Sequence, residues 1–163
     1  MKRILSVIPF LFLFYSLSSA QGHDSLLTRL NNVIDKKKDY DAQKLKRIEK
    51  LQQELNNAAD RDLNSKYNTY LALYEEYKSF NYDKAFYYAQ KLQQAGYLLK
   101  DPVKIAISRI KFGFILLSSG MFKETFDSLK AVNVKLLNNI ARQEYYFLTA
   151  RTYYDLADFD KDN

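Results

Sequence analysis

Apolar positions along this chain recur at steps of three and four, the spacing that stacks side chains on one face of an α-helix. Leu27, Leu30, Val33 and Ile34 form one such stripe, and Ile48, Leu51 and Leu55 form another. The charged stretch Asp35–Lys44 interrupts the pattern, so this part reads as two helices or as one long helix with a polar waist. Asp24 is a candidate N-cap for the first of them, since its carboxylate can accept from orphan backbone N–H groups. An antiparallel hairpin or a dimeric coiled coil would bury both stripes, but sustained heptads are too few to favour the coil strongly. After the polar gap Asn56–Asp62 the spacing predicts helices over Leu63–Lys78, Asp83–Leu99, Pro102 to about Ser118, Lys123–Val132 and about Ile140–Leu156. Asp101-Pro102 reads as an N-cap followed by the first helical position, where proline's missing N–H is no loss. Ser79-Phe80-Asn81, Gly120 and Ala157-Asp158-Phe159 read as turns.

The first twenty residues follow another grammar. Lys2 and Arg3 precede the 14-residue apolar run Ile4–Leu17, and Ser18 and Ala20 supply small residues ahead of a cut after Ala20. That is the arrangement of a secretory signal peptide. The run is shorter than the roughly 20 residues that cross a bilayer, which disfavours an uncleaved anchor. The expectation is an exported chain, periplasmic or envelope-associated, whose mature form starts at Gln21. With no cysteine in the sequence, neither a lipid-anchored N-terminus nor a disulfide is expected. The domain reading is a leader over 1–20, an N-terminal helical segment over 21–62 and helical repeats over 63–163.

Composition alters this picture in one respect. Of 14 Tyr and 11 Phe, four aromatics lie in the leader and, of the rest, only Tyr40 precedes residue 67. An aromatic-poor first part and an aromatic-rich remainder should pack differently. Four Gly and two Pro leave little punctuation for short strands and tight turns. The formal charge of +6 falls to +4 without Lys2 and Arg3, and the excess is spread evenly. The one basic run, Lys36–Lys38, is flanked by Asp35, Asp39 and Asp41, so there is no concentrated stripe for nucleic acid.

Three turn regions align. Tyr77–Ala85 matches Leu117–Thr125 and Tyr154–Asp162, with an aromatic at Tyr82, Phe122 and Phe159 spaced by 40 and 37 residues. A period of this size, one helical hairpin per unit, marks an α-solenoid. The units resemble tetratricopeptide repeats. The middle one has Gly113 where helices cross closely in that family, Gly120 in the turn, Phe122 after it and Thr125 where alanine is usual; the first has Tyr82, Ala85 and Ala89. The period exceeds the family's ~34 residues, and Glu76 stands at a usually apolar position. The resemblance implies an all-α, right-handed solenoid of helical hairpins preceded by an N-terminal helix or hairpin.

Nearly the whole chain, through DSLLTRLNNVID, KLKRIEKL, LYEEYKSFNYDKAFYYAQK and FILLSSGMFKETFDSL, is also similar to bacterial envelope proteins with a tetratricopeptide-like sensor region. Such proteins continue into more repeats, a membrane span and a cytoplasmic DNA-binding region, as one-component regulators do. The sequence stops at Asn163, where the second helix of a third repeat is expected, so the resemblance implies a truncation or a partner covering the end. Contact with a membrane would come only through an uncleaved leader or a missing C-terminal span.

Chemistry is sparse. His23 is the single histidine, near the mature terminus, which leaves zinc, copper and His-based catalysis without their main residues. Glu75 and Glu76 are adjacent, but neighbours on a helix diverge by about 100°, so acid–base work needs a second carboxylate brought in by folding. No glycine-rich phosphate loop is present. No catalytic, metal or cofactor site is expected, and a non-catalytic module binding a protein or peptide partner is. The candidate groove begins with the stripe Tyr67, Tyr70, Tyr74 and Tyr77. The repeat alignment adds Ile107, Ile110, Phe114 and Leu117, then Phe147, Arg151 and Tyr154. These aromatics either seat the N-terminal segment or present a binding surface, and tyrosine suits both roles. The leading expectation is the sensory part of an envelope signalling protein; the alternatives are a structural assembly scaffold and a glycan-binding uptake accessory.

Overall fold

The computed structural model describes residues 21–59 and 62–161, with side chains from Ser25 onward. The expected leader and the side chain of His23 lie outside these residues. Among the described residues there are six α-helices and no strand: α1 (Gln21–Asn57), α2 (Leu63–Tyr77), α3 (Tyr82–Leu99), α4 (Pro102–Ser118), α5 (Phe122–Lys130) and α6 (Asn139–Lys161). A 3-10 turn, Val134–Leu136, precedes α6.

The N-terminal segment is one helix, not a hairpin. Asp35–Lys44 contains no glycine or proline, and Lys37 pairs with Asp41 one turn away, so the polar waist costs little helix propensity. The helix already includes Asp24, which is therefore not its N-cap. The chain divides into two compact units at Lys46/Arg47. In the first, Leu26, Leu27, Leu30, Val33 and Ile34 are all more than half exposed. In the second, Ile48 is buried in a cluster with Leu73, Tyr74, Tyr77, Ala85, Tyr88 and Ala89, and Leu51 and Leu55 pack against it.

Within that second unit the helices stack as hairpins. α2 and α3 form one, α4 packs on α3 and on α5, and α6 packs on both α4 and α5. Of the helix caps, the one at Asp101 was expected from the sequence. Asp62, Asn81 and Asp101 each accept from backbone N–H groups two or three residues on, at 2.9–3.1 Å, and Pro102 opens α4. Gly120 has φ +70°, the left-handed conformation that closes a helix end. Thr125, standing where alanine is usual, returns its hydroxyl to the Met121 carbonyl at 2.8 Å and so stays buried without an unmet donor. Glu76, at the usually apolar position, accepts from Arg47 at 2.7 Å.

Gly113 is buried between helices, and a Cβ there would meet the Leu148 and Leu129 side chains at 3.5–3.8 Å, an ordinary contact. The closer approach is at Gly96, where a Cβ would sit 3.4 Å from the backbone of Lys104 and Ile105. The turn at Ala157-Asp158-Phe159 does not form, and α6 continues to Lys161. No glycine or proline stands there to break the helix, and Lys161 pairs with Asp158 in its last turn.

Candidate functional site

One cleft, of about 340 Å³, crosses three stacked helices. Tyr74 and Glu75 come from α2 and Lys78 from its C-cap, Lys111 and Phe114 from α4, and Ile140, Glu144, Phe147 and Leu148 from α6. The helix spacing explains which tyrosines of the stripe arrive. At about 100° per residue, Tyr70 and Tyr77 point roughly 40° and 60° away from Tyr74, to the same side. They turn toward α3 and lie 6.3 and 5.6 Å from the Tyr88 ring, centroid to centroid. Tyr67 donates its hydroxyl to the Lys104 carbonyl at 3.0 Å and is buried with Leu92 and Ala95.

Of the residues expected in a groove, the fold therefore brings together Tyr74, Phe114 and Phe147, with the Arg151 guanidinium 5.9 Å from the Phe114 ring. Tyr67, Tyr70, Tyr77, Ile110 and Leu117 belong to the packing between helices, and Ile107 packs against the second core cluster. Tyr154 is exposed and does not line the cleft. Burial raises the phenol pKa values of Tyr67, Tyr74, Tyr77 and Tyr88, as expected of rings removed from water.

The polar residues of the cleft were not legible as a group. Lys111 bridges two carboxylates, with Nζ 2.7 Å from Glu75 and 2.7 Å from Glu144, and it also lies 5.8 Å from the Tyr74 ring. Glu75 pairs with Lys78 as well. One ammonium thus joins α2, α4 and α6. Burial alone would raise the Glu75 pKa, but hydrogen bonds and charge from Lys111 and Lys78 outweigh it and hold the carboxyl below its ordinary value. Burial alone would likewise lower the Lys111 pKa, and the two glutamates reverse it. Both groups stay charged at neutral pH, so the arrangement clamps helices rather than poising a proton for transfer. The second carboxylate that Glu75 lacked in sequence is Glu144, 69 residues away, and no local spacing signals it. Glu75 and Glu76 diverge as adjacent helical residues must, one to Lys111 and the other to Arg47.

Stacked antiparallel hairpins at a period near forty residues, with a cleft crossing the first helix of each, define a tetratricopeptide-like solenoid module. Residues 34–163 match the SusR N-terminal TPR domain, and the chain belongs to that family. It is thus a helical-repeat module of a type that mediates protein–protein interactions and is generally non-catalytic. None of the curated proteins and none of the solved structures compared with the chain matches it.

Proposed function

We propose that this chain is an exported sensory module of a signalling protein in the bacterial envelope, and that the cleft across α2, α4 and α6 receives its partner. The observation that carries the reading is the cleft itself: apolar rings from Phe114 and Phe147 stand beside the Glu75–Lys111–Glu144 clamp, in a concave site of binding size. A clamp joining three helices gives a bound partner a means of altering how the hairpins stack, which is what a sensor requires. The family's name, which refers to the N-terminal domain of SusR, supports a place at the start of a larger regulator. Export rests on the sequence grammar of residues 1–20.

The test is a thermal-shift screen of the chain against peptides and oligosaccharides, repeated on Ile140→Asp and Lys78→Glu, which alter the cleft rim. A ligand that raises the melting temperature of the parent and not of the rim variants supports the reading. Ligands that stabilise all three equally place the binding site elsewhere, and a chain that responds to none favours a plain scaffold. Expressed with its own leader, the protein should be recovered from the periplasm with Gln21 at its N-terminus; an intact Met1 on a membrane-bound product would refute the export step.

A further inference from the structure

Each of the charged side chains lining the cleft is already engaged by another. The Lys111 Nζ lies 2.7 Å from one Glu75 oxygen and 2.7 and 2.9 Å from the two Glu144 oxygens, so three acceptors meet its three N–H bonds. The second Glu75 oxygen takes Lys78. Two carboxylates and two ammonium groups leave the lining without net charge. The rings are engaged in the same way. The Lys111 ammonium stands 5.8 Å from the Tyr74 ring and the Arg151 guanidinium 5.9 Å from the Phe114 ring, and Arg151 itself pairs with Asp155. What the cleft leaves open is apolar surface, chiefly the side chains of Ile140 and Phe147.

We propose that the cleft selects an uncharged aromatic or branched aliphatic side chain of a peptide partner, and that the pairing of Lys111 and Lys78 with Glu75 and Glu144 enforces this by leaving no counter-charge on offer. The inference rests on the reading that the cleft receives the partner, and it adds the partner's chemistry. A charged group entering a partly apolar site loses hydration, and only an unpaired opposite charge offsets that loss. Here an incoming ammonium or carboxylate has to displace one of the chain's own from a pair already closed at 2.7 Å. A cation that stacks on a ring is no better served, because Lys111 and Arg151 already stand at Tyr74 and Phe114. A sugar fares poorly for a related reason. Its hydroxyls need several open donors and acceptors, whereas Lys111 has no N–H left and five of the nine lining side chains are aromatic or aliphatic. An aromatic or branched aliphatic side chain covers Ile140 and Phe147 and asks nothing of the clamp. Four charges in a cleft thus serve the stacking of the helices and make recognition apolar.

The chain contains no tryptophan, so the blocked peptide Ac-Gly-Trp-Gly-NH2 is a fluorescent probe with the only indole in solution. Titrated with the full chain, its emission should shift to the blue and saturate. The same peptide with Phe or Leu at its centre should displace it. Peptides with Lys or Glu there, and the neutral sugar lactose, should need about tenfold higher concentration or more. Affinity for the Trp peptide should change less than about twofold as salt rises to about 0.5 M, because no new ion pair forms. Lys78→Met leaves two carboxylates facing one ammonium, so the Lys peptide should gain about fivefold or more while the Phe peptide binds as before. Ile140→Asp, at a position 78% exposed and so without consequence for the fold, should abolish binding of the Trp peptide. Binding that Ile140→Asp leaves intact, or no saturable binding by any of the peptides, overturns the reading of the cleft and this inference with it. Binding lost in Ile140→Asp overturns this inference alone if the Lys peptide, the Glu peptide or lactose matches the Phe peptide. A steep fall with salt, or a ranking that Lys78→Met does not alter, does the same.

Discussion

The α2–α3 hairpin and the α4–α5 hairpin solve one packing problem with opposite distributions of size. In the first, large rings on α2 meet two alanines and the Tyr88 ring on α3, whereas in the second a glycine-centred row on α4 meets leucine and valine from α5 and the residues after it. The summed volume at each seam is what close packing constrains, not the identity of either side. Two repeats can therefore share a backbone plan while differing at nearly every buried position. Substitutions should consequently act with opposite sign of volume in the two places.

The largest expected effect follows from that swap. Leu129→Ala should cost about 2–5 kcal/mol, because it removes a buried side chain from a seam whose other wall is Gly113. Ala89→Leu, at a position with no exposed surface, should cost about 1–3 kcal/mol through overpacking against the rings of the first hairpin. Gly113→Ala should be neutral or slightly stabilising, since its methyl meets only side chains at ordinary distance and alanine is the better helix former. Urea unfolding of the three variants measures this. Tolerance of Ala89→Leu would show that the first seam has slack and that the contrast is not one of volume.

A smaller effect is expected where the hairpins are joined by charge. Lys111→Met leaves Glu75 and Glu144 without their shared cation, yet both carboxylates are about a third exposed. The loss should therefore fall below the ~3–5 kcal/mol of a fully buried broken pair. The pH dependence has two limbs. Glu75 titrates below its ordinary 4.5, so its contribution is present above that value and lost as pH falls through the lowered one. Lys111 titrates above its ordinary 10.5, so its contribution is present below that value and lost as pH rises through the raised one. Melting temperatures of the parent should decline at both ends, and the decline should be shallower in Lys111→Met. Identical pH profiles would remove the clamp from the stability of the stack.

The smallest effects lie at the helix ends, and they should have opposite signs. Gly120, with φ +70° and open space around it, ends the first helix of the second hairpin. Gly120→Val should cost about 1–2 kcal/mol from backbone strain alone, and Gly120→Asn less. Lys100, at φ 52°, ends the first hairpin in the same left-handed region with a side chain attached. Lys100→Gly should gain about 1 kcal/mol. Thermal denaturation decides both, and a stabilising Gly120→Val would mean that the turn is not held at positive φ in solution.

Much of this fold was legible in particular residues. Asp62, Asn81, Asp101-Pro102 and Gly120 set helix ends through local hydrogen bonds and a local dihedral, so the sequence around each one suffices. The third turn was misread because Ala157-Asp158-Phe159 aligns with earlier turns by the position of one aromatic while lacking a residue that stops a helix. Only part of the candidate site was readable. Tyr74, Phe114 and Phe147 could be aligned through the repeat, but the stripe to which Tyr74 belongs is wide enough to face two neighbours. Which tyrosine serves the cleft and which the seam depends on where α3 lies.

The sequence by itself determined that this is an all-helical chain of hairpin repeats, where its helices in the repeat region begin, and that a tyrosine stripe runs down α2. Helical periodicity, caps and turn residues act over a few positions and are written locally. The tertiary structure alone decided that Lys111 joins Glu75 to Glu144 across 69 residues of chain, and that Tyr74 faces the cleft while Tyr70 and Tyr77 face Tyr88. An apolar or charged side chain fixes what kind of neighbour it needs, while the neighbour it receives is set by the stacking of helices far apart in sequence.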